Sequence, residues 1–207
     1  MIAIIDIGLG NASSVYHAFR RIAVQSFITS DPKIISQASK IVLPGNTSFD
    51  GYIRSLREQN LLSLIETRVI NEEVPLLGIC SGAQILGLGS AEGIESGLGW
   101  IPMHSEALPA VDNLKIPNLG WRNVSCQMPG NPFWESIDKD PLFYFSHSYY
   151  LVPDTEDDIL FSSWYGIKFA AAIKHKNIIA VQFHPEKSHS FGLQFLHVFA
   201  NQEITCM

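Results

Sequence analysis

The chain has 207 residues, of which 46% are hydrophobic and 16% charged, and its net charge is -6. That length and apolar content suit one α/β domain, residues 1–207, with a sizeable core. The 14 Lys and Arg form no basic run, which argues against a nucleic-acid surface, and no stretch of about 18 apolar residues lacks polar interruption, so neither nucleic acid nor membrane is an expected partner.

The first half alternates strand and helix patterns. Residues 1–6 form a short apolar run that reads as a buried parallel strand and lacks the basic lead and cleavage site of a signal peptide. Gly8-Leu9-Gly10-Asn11 is a turn. A helix is predicted over 13–22, with Val15, Ala18, Phe19 and Ile22 on one face. Strands follow at 26–29, 40–43 and 76–79. Asp31-Pro32 opens a short helix through Gln37, residues 52–71 carry one long helical period, and 83–88 a further helix. This alternation predicts a mostly parallel central sheet with helices on both faces.

The second half reads differently. Residues 97–134 are rich in Gly, Pro, Asn and Trp, with short strands at best. Residues 143–150, 159–163, 169–174 and 178–183 are alternating or β-branched and predict antiparallel strands, with a hairpin turn at Lys176-Asn177. A helix over 191–200 closes the pattern.

The most informative segment is Gly78-Ile79-Cys80-Ser81-Gly82. It is the thiol version of the nucleophile elbow, a strained strand-to-helix turn that exposes its central residue. Glycine on both sides fits a turn with no room for a Cβ. A helix starting after Cys80 would direct partial positive charge at the sulfur and favour the thiolate. The plainer reading is a buried structural Cys. Cys80, Cys126 and Cys206 are an odd count at unrelated spacings, neither a disulfide framework nor a zinc site, so no metal or cofactor is expected. A catalytic thiol suits a reducing cytoplasm.

A thiol acyl-transfer enzyme needs a base and a group to orient it. Of seven His residues, His184 stands out. It ends an apolar strand, Pro185 stops that strand, and Glu186, two residues on, would share its side in an extended segment. Glu186 would then accept from one ring nitrogen while the other faces Cys80. His17, His104, His175 and His197 read as structural or solvated, and His147, among aromatics, as a packed residue.

The elbow and Q-F-H-P-E-K-S at 182–188 lie about 100 residues apart in that order. Together they resemble the class I (triad) glutamine amidotransferases, and within them the glutaminase subunits of imidazole glycerol phosphate synthase. The resemblance covers nearly the whole chain: Asp6-Ile7-Gly8-Leu9-Gly10-Asn11, Leu43-Pro44-Gly45, Phe49-Asp50, Gly120-Trp121 and Tyr144-Phe145-Ser146-His147-Ser148-Tyr149 all fit its pattern. It implies a triad of Cys80, His184 and Glu186 acting on L-glutamine. It implies an oxyanion hole from the Ser81 amide and the Gly45-Asn46 loop, and substrate contacts from Gln84, Glu92, Ser148 and Tyr149. It also implies a heterodimer with a synthase (cyclase) subunit of (β/α)₈-barrel type that receives the ammonia.

The chain departs from the pattern in places. Thr47 replaces a loop glycine, and a β-branched residue resists φ > 0, so the response of basal activity to a partner is expected to differ. Asn118 and Leu119 replace His and Met in a segment expected near the synthase. Ser81 and Ala83 stand where Leu and Met are commoner. These changes leave open a paralogous subunit that supplies ammonia for surface-polysaccharide sugar amidation. Another thiol hydrolase on the same fold and a non-catalytic regulatory module are weaker readings, since no triad member is missing. Dinucleotide binding at Gly8-Leu9-Gly10 lacks the third glycine and the acidic partner.

Overall fold

A computed structural model describes residues 1–110 and 114–204; Cys206 lies outside the described residues. The first strand, β1 (Ile2–Ile5), is buried on both faces, as its unbroken apolar run requires. Helix α1 (Ala12–Arg21) turns Val15, Ala18 and Phe19 inward and ends on Arg20 and Arg21, whose charge suits a helix C-terminus. Next come β2 (Ser26–Thr29), α2 (Pro32–Gln37) and β3 (Lys40–Leu43). The Asp31 side chain caps α2 by accepting from the Lys33 N–H, with Pro32 at the first helical position.

The expected helix over 52–71 is three pieces. Helix α3 (Phe49–Glu58) stops where Asn60 takes a φ of 56°, α4 (Leu62–Glu66) follows, and a π-helical turn (Thr67–Asn71) completes the run. A polar break, Gln59-Asn60, interrupts an apolar period that by itself looked continuous. Buried Asn177 holds the segment after the π turn, its Nδ2 donating to the carbonyls of Val69 (2.8 Å) and Val74 (3.0 Å). Strand β4 (Leu76–Ile79) leads to the elbow and to α5 (Ser81–Gln84), a single turn where a helix over 83–88 was expected.

After β5 (Gly89–Ser90), the segment 97–134, expected to hold short strands at best, contains β6 (Met103–Ala107), β7 (Asn118–Asn123) and β8 (Ser125–Cys126), and α6 (Pro132–Glu135) closes it. The single strand expected over 143–150 is two: β9 (Leu142–His147) pairs with β7 in a separate two-stranded sheet, and β10 (Tyr149–Pro153) joins the main sheet. The chain changes sheets at Ser148, a switch that alternation of side chains does not encode. β11 (Ile159–Tyr165), β12 (Ile167–His175) and β13 (Ile178–Val181) follow, the last two joined by the expected Lys176-Asn177 turn, and α7 (His189–Asn201) ends the fold.

The main sheet runs β2-β1-β3-β4-β13-β12-β10-β6-β5, with β11 paired to β12 and β8. From β2 to β13 it is parallel, and β13, β12, β10 and β6 pair antiparallel. Alternate residues of β1 enter opposite cores, Ile2 and Ile4 on one face and Ala3 and Ile5 on the other. Helices α1 and α7 cover the first face, α2, α3 and α4 the second. The carboxyl ends of β1, β3, β4 and β13 therefore open at one edge, where ligands of such sheets bind. Among the described residues, no helix is long and apolar enough to cross a membrane.

Candidate active site

Strands β4 and β13 are adjacent and parallel, with Ile79 opposite Val181. The residues just past their ends, Cys80 and the 182–186 segment, are thus brought together by register. Cys80 holds φ 51° and ψ -112°, a sparsely populated conformation for a side chain with a Cβ. It is fixed by its N–H donating to the Val181 carbonyl (2.7 Å) and by its own carbonyl accepting from Ala83 (2.9 Å) and Gln84 (3.0 Å). The flanking glycines are there for space. A Cβ on Gly78 would sit 2.6 Å from the Gly82 carbonyl oxygen, and one on Gly82 would sit 2.2 Å from that of Leu43. Because α5 is one turn long, few peptide dipoles add at the sulfur, and the helix effect expected from sequence is correspondingly small.

His184 is fully buried. Its Nδ1 lies 2.8 Å from Glu186 Oε1. The contact is the one expected, but the backbone reason differs: Pro185–Lys187 is a 3₁₀ turn that folds Glu186 back on His184, not an extended segment. The same Glu186 oxygen accepts from Asn11 Nδ2 at 3.0 Å. With Nδ1 engaged, the remaining ring nitrogen, Nε2, is buried without a hydrogen-bond partner among the described residues. Burial disfavours a charged imidazole here. The neighbouring Cys80 charge, reinforced by Glu186, outweighs burial and raises the His184 pKa to about 10. The 3₁₀ loop is tied to β9: the His184 N–H donates to the Tyr144 carbonyl (2.8 Å), and Ser188 Oγ donates to the His184 carbonyl (2.6 Å) while accepting from the Tyr144 N–H (2.9 Å).

In front of Cys80 lies a cavity of about 280 Å³, lined by Asn46, Thr47, Ser81, Gln84, Glu92, Ser148 and Tyr149 among others. It is at the small end of ligand sites, suited to an amino acid. Gly45 stands behind this wall, its carbonyl accepting from the Asn11 N–H at 3.0 Å. Asn46 has φ 77°, so the left-handed residue of this loop is Asn46, not Thr47. Thr47 instead donates its N–H to Ser81 Oγ (3.2 Å). Among the described residues, the N–H groups of Asn46 and Ser81 are not taken by other groups.

Glu92 is half-buried and accepts from the Phe49 N–H at the start of α3 (3.2 Å). Burial pushes its carboxyl pKa up, the Phe49 bond opposes this, and the charge of Asp50 adds to it. Asp50 clamps the same loop through the N–H groups of Ile94 and Glu95 (both 3.1 Å). A Cβ on Gly93 would meet Asp50 Oδ1 at 1.9 Å. Gln84 Nε2 donates to the Tyr149 carbonyl (3.1 Å) and to Gln182 Oε1 (3.2 Å).

All ten residues singled out in the sequence thus fall in or directly behind one site. Sequence reasoning missed Asn11, Gln182 and Asn118. Asn118 is fully buried and its Nδ2 lies 3.0 Å from His147 Nε2, while His147 Nδ1 lies 2.8 Å from the Tyr149 carbonyl. A carbonyl only accepts, so Nδ1 carries the proton and Nε2 accepts from Asn118. Burial lowers the His147 pKa to about 4, which keeps it neutral and rules it out as a second base poised near neutrality. Among the described residues, no group of three or more His, Cys, Asp or Glu side chains is placed to hold a metal ion.

The family model described as "Glutamine amidotransferase class-I" matches residues 3–201. The chain belongs to this family. Proteins with high similarity to it include "Imidazole glycerol phosphate synthase subunit HisH 2" of Pseudomonas aeruginosa, 43% identical over 96% of this chain and 98% of that protein. The HisH 2 protein of Methanococcus maripaludis is 39% identical over 98% and 100%, and the HisH subunit of Geobacter sulfurreducens 41% over 98% and 99%. A solved glutamine amidotransferase superposes with a TM-score of 0.75 at 16% identity, covering 97% of this chain and 99% of its own. One from Thermotoga maritima gives 0.61 at 18%, covering 96% and 81%. These two amidotransferases bear on the fold alone, and they agree with the mostly parallel sheet expected from sequence.

Proposed function

We propose that residues 1–207 act as one glutaminase domain, hydrolysing L-glutamine to L-glutamate and ammonia for a synthase subunit in imidazole glycerol phosphate synthesis. The observation that carries this reading is the Glu186–His184 pair packed behind a strained Cys80 that lines an amino-acid-sized cavity. The extent of similarity to HisH proteins supports the pathway.

In this reading the Cys80 thiolate attacks the side-chain amide carbon of glutamine. The developing oxyanion takes hydrogen bonds from the free Ser81 N–H and from the Gly45-Asn46 loop through the Asn46 N–H, each worth about 3–4 kcal/mol in comparable sites. The C–N bond breaks as His184 Nε2 hands its proton to the departing nitrogen, which leaves as ammonia. His184 then takes a proton from water, whose hydroxide cleaves the thioester to glutamate and free Cys80. Glu186 fixes the tautomer throughout. Gln84, Ser148 and Tyr149 recognise the substrate, and Glu92 meets its α-ammonium group. The ammonia passes to a partner of (β/α)₈-barrel type in the cytoplasm, since ammonia released to bulk water is protonated and loses its nucleophilicity. No cofactor enters these steps.

The test is glutamate release by the purified chain, alone and with the histidine-pathway synthase subunit plus that subunit's nucleotide ligand. Stimulation by the partner is expected. Turnover indifferent to it would move the chain to another amidation pathway.

A further inference from the structure

The proposed steps make no use of Gln182, yet this side chain is fully buried beside the reacting atom. Its Nε2 donates to Cys80 Sγ at 3.7 Å. The Ser146 carbonyl at 3.9 Å is an acceptor for the S–H, and His184 is the charged group that faces the sulfur. Gln182 therefore gives the sulfur a neutral amide donor, beside the charged interaction of Cys80 with His184.

Which end of the Gln182 amide faces the sulfur follows from its neighbours. The Tyr149 carbonyl only accepts, so Gln84 must turn its Nε2 toward it. The second hydrogen of that NH₂ reaches Gln182 Oε1. With its oxygen taken, Gln182 has only its NH₂ left for the sulfur. The Tyr149 carbonyl is held in turn by His147 and Asn118. Three side chains and one carbonyl thus fix a single donor. A thiol is a weak acceptor and a thiolate a strong one, so a donor held there favours the charged form.

We propose that Gln182 is the hydrogen-bond donor that stabilises the Cys80 thiolate, with Gln84 as the residue that orients it. This rests on Cys80 being the nucleophile of the proposed glutaminase. It gives Gln84 a second task beside substrate binding, and it accounts for a buried amide pair in an apolar strand end.

The test is alkylation of Cys80 by iodoacetamide across a pH series, in the folded chain carrying Cys126→Ser and Cys206→Ser. At neutral pH the rate is expected to fall about tenfold in Gln182→Leu, as the loss of one hydrogen bond to a charged group predicts. It should fall further in Gln182→Glu, where a carboxylate faces the sulfur, and less in Gln84→Leu. In each the pH profile moves to higher pH and kcat falls, and in Gln182→Leu KM for glutamine stays within about twofold. An unmoved pH profile in Gln182→Leu overturns the inference, whatever happens to turnover. If Gln182→Leu does not fold, Gln182→Met, which keeps the length and loses the donor without adding charge, decides. Alkylation needs no glutamine, so absent turnover in the unmodified chain would sink the proposed function and leave this reading of the sulfur to its own result.

Discussion

Asn11 Nδ2 and His184 Nδ1 converge on one oxygen, Glu186 Oε1, at 3.0 and 2.8 Å. The loop after β1 thereby braces the loop after β13. Removing Asn11 leaves His184 a partner that is free to rotate. Asn11→Ala should lower kcat for glutamate release about tenfold, the worth of one hydrogen bond to a charged group, with KM little changed. Steady-state kinetics checks this; an unchanged kcat would mean that Glu186 is held without Asn11.

The Gly45-Asn46 loop offers a second test. Asn46 occupies a left-handed conformation that Asn tolerates and a β-branched residue resists. If its N–H serves the oxyanion, Asn46→Val should cut basal glutaminase activity by about 10²-fold, while Asn46→Gly keeps most of it. Thr47→Gly releases the bond to Ser81 Oγ and should alter the ratio of partner-stimulated to basal rate. Equal rates in all three variants would remove this loop from the mechanism.

Asp50 holds the loop that carries Glu92, and so governs where that carboxylate sits. Asp50→Ala should raise KM for glutamine about tenfold and leave kcat within about twofold, because the amino-acid end and not the reacting amide loses its partner. A fall in kcat at constant KM would contradict this assignment.

His147 makes stability depend on pH. Its pKa is about 4 in the folded protein against 6.5 ordinarily, so between those values the unfolded chain binds more protons. The stabilisation is complete above about pH 6.5 and is lost as pH falls toward 4, on the order of 3 kcal/mol in all. Urea unfolding across that window should give a steeper fall for the unmodified chain than for His147→Gln. Parallel curves would mean that His147 is not buried in its neutral form.

The parallel half of the fold is legible because buried parallel strands are apolar runs between short helical periods, as in Ile2–Ile5 and Leu76–Ile79. The break at Gln59-Asn60 and the change of sheet at Ser148 are less so, since each depends on what packs nearby and not on period. Chemistry concentrated in short motifs, such as Cys80 with Ser81 and His184 with Glu186, is readable in the same way. Supporting residues are harder to find. Asn11 and Gln182 lie inside recognisable motifs but carry amides, whose role is set by partners 175 and 102 positions away. Asn118 stands at a position where the sequence departs from the family pattern, and only its pairing with His147 across β7 and β9 gives it a structural task.

The most direct measurement is glutamate release from glutamine by Cys80→Ala against the unmodified chain, at matched folding and with the synthase partner present. The account predicts abolished turnover in the variant, with a γ-glutamyl group trapped on the peptide containing Cys80 in acid-quenched unmodified enzyme. Turnover that survives in Cys80→Ala, or glutamate formed with no label on that peptide, would contradict it.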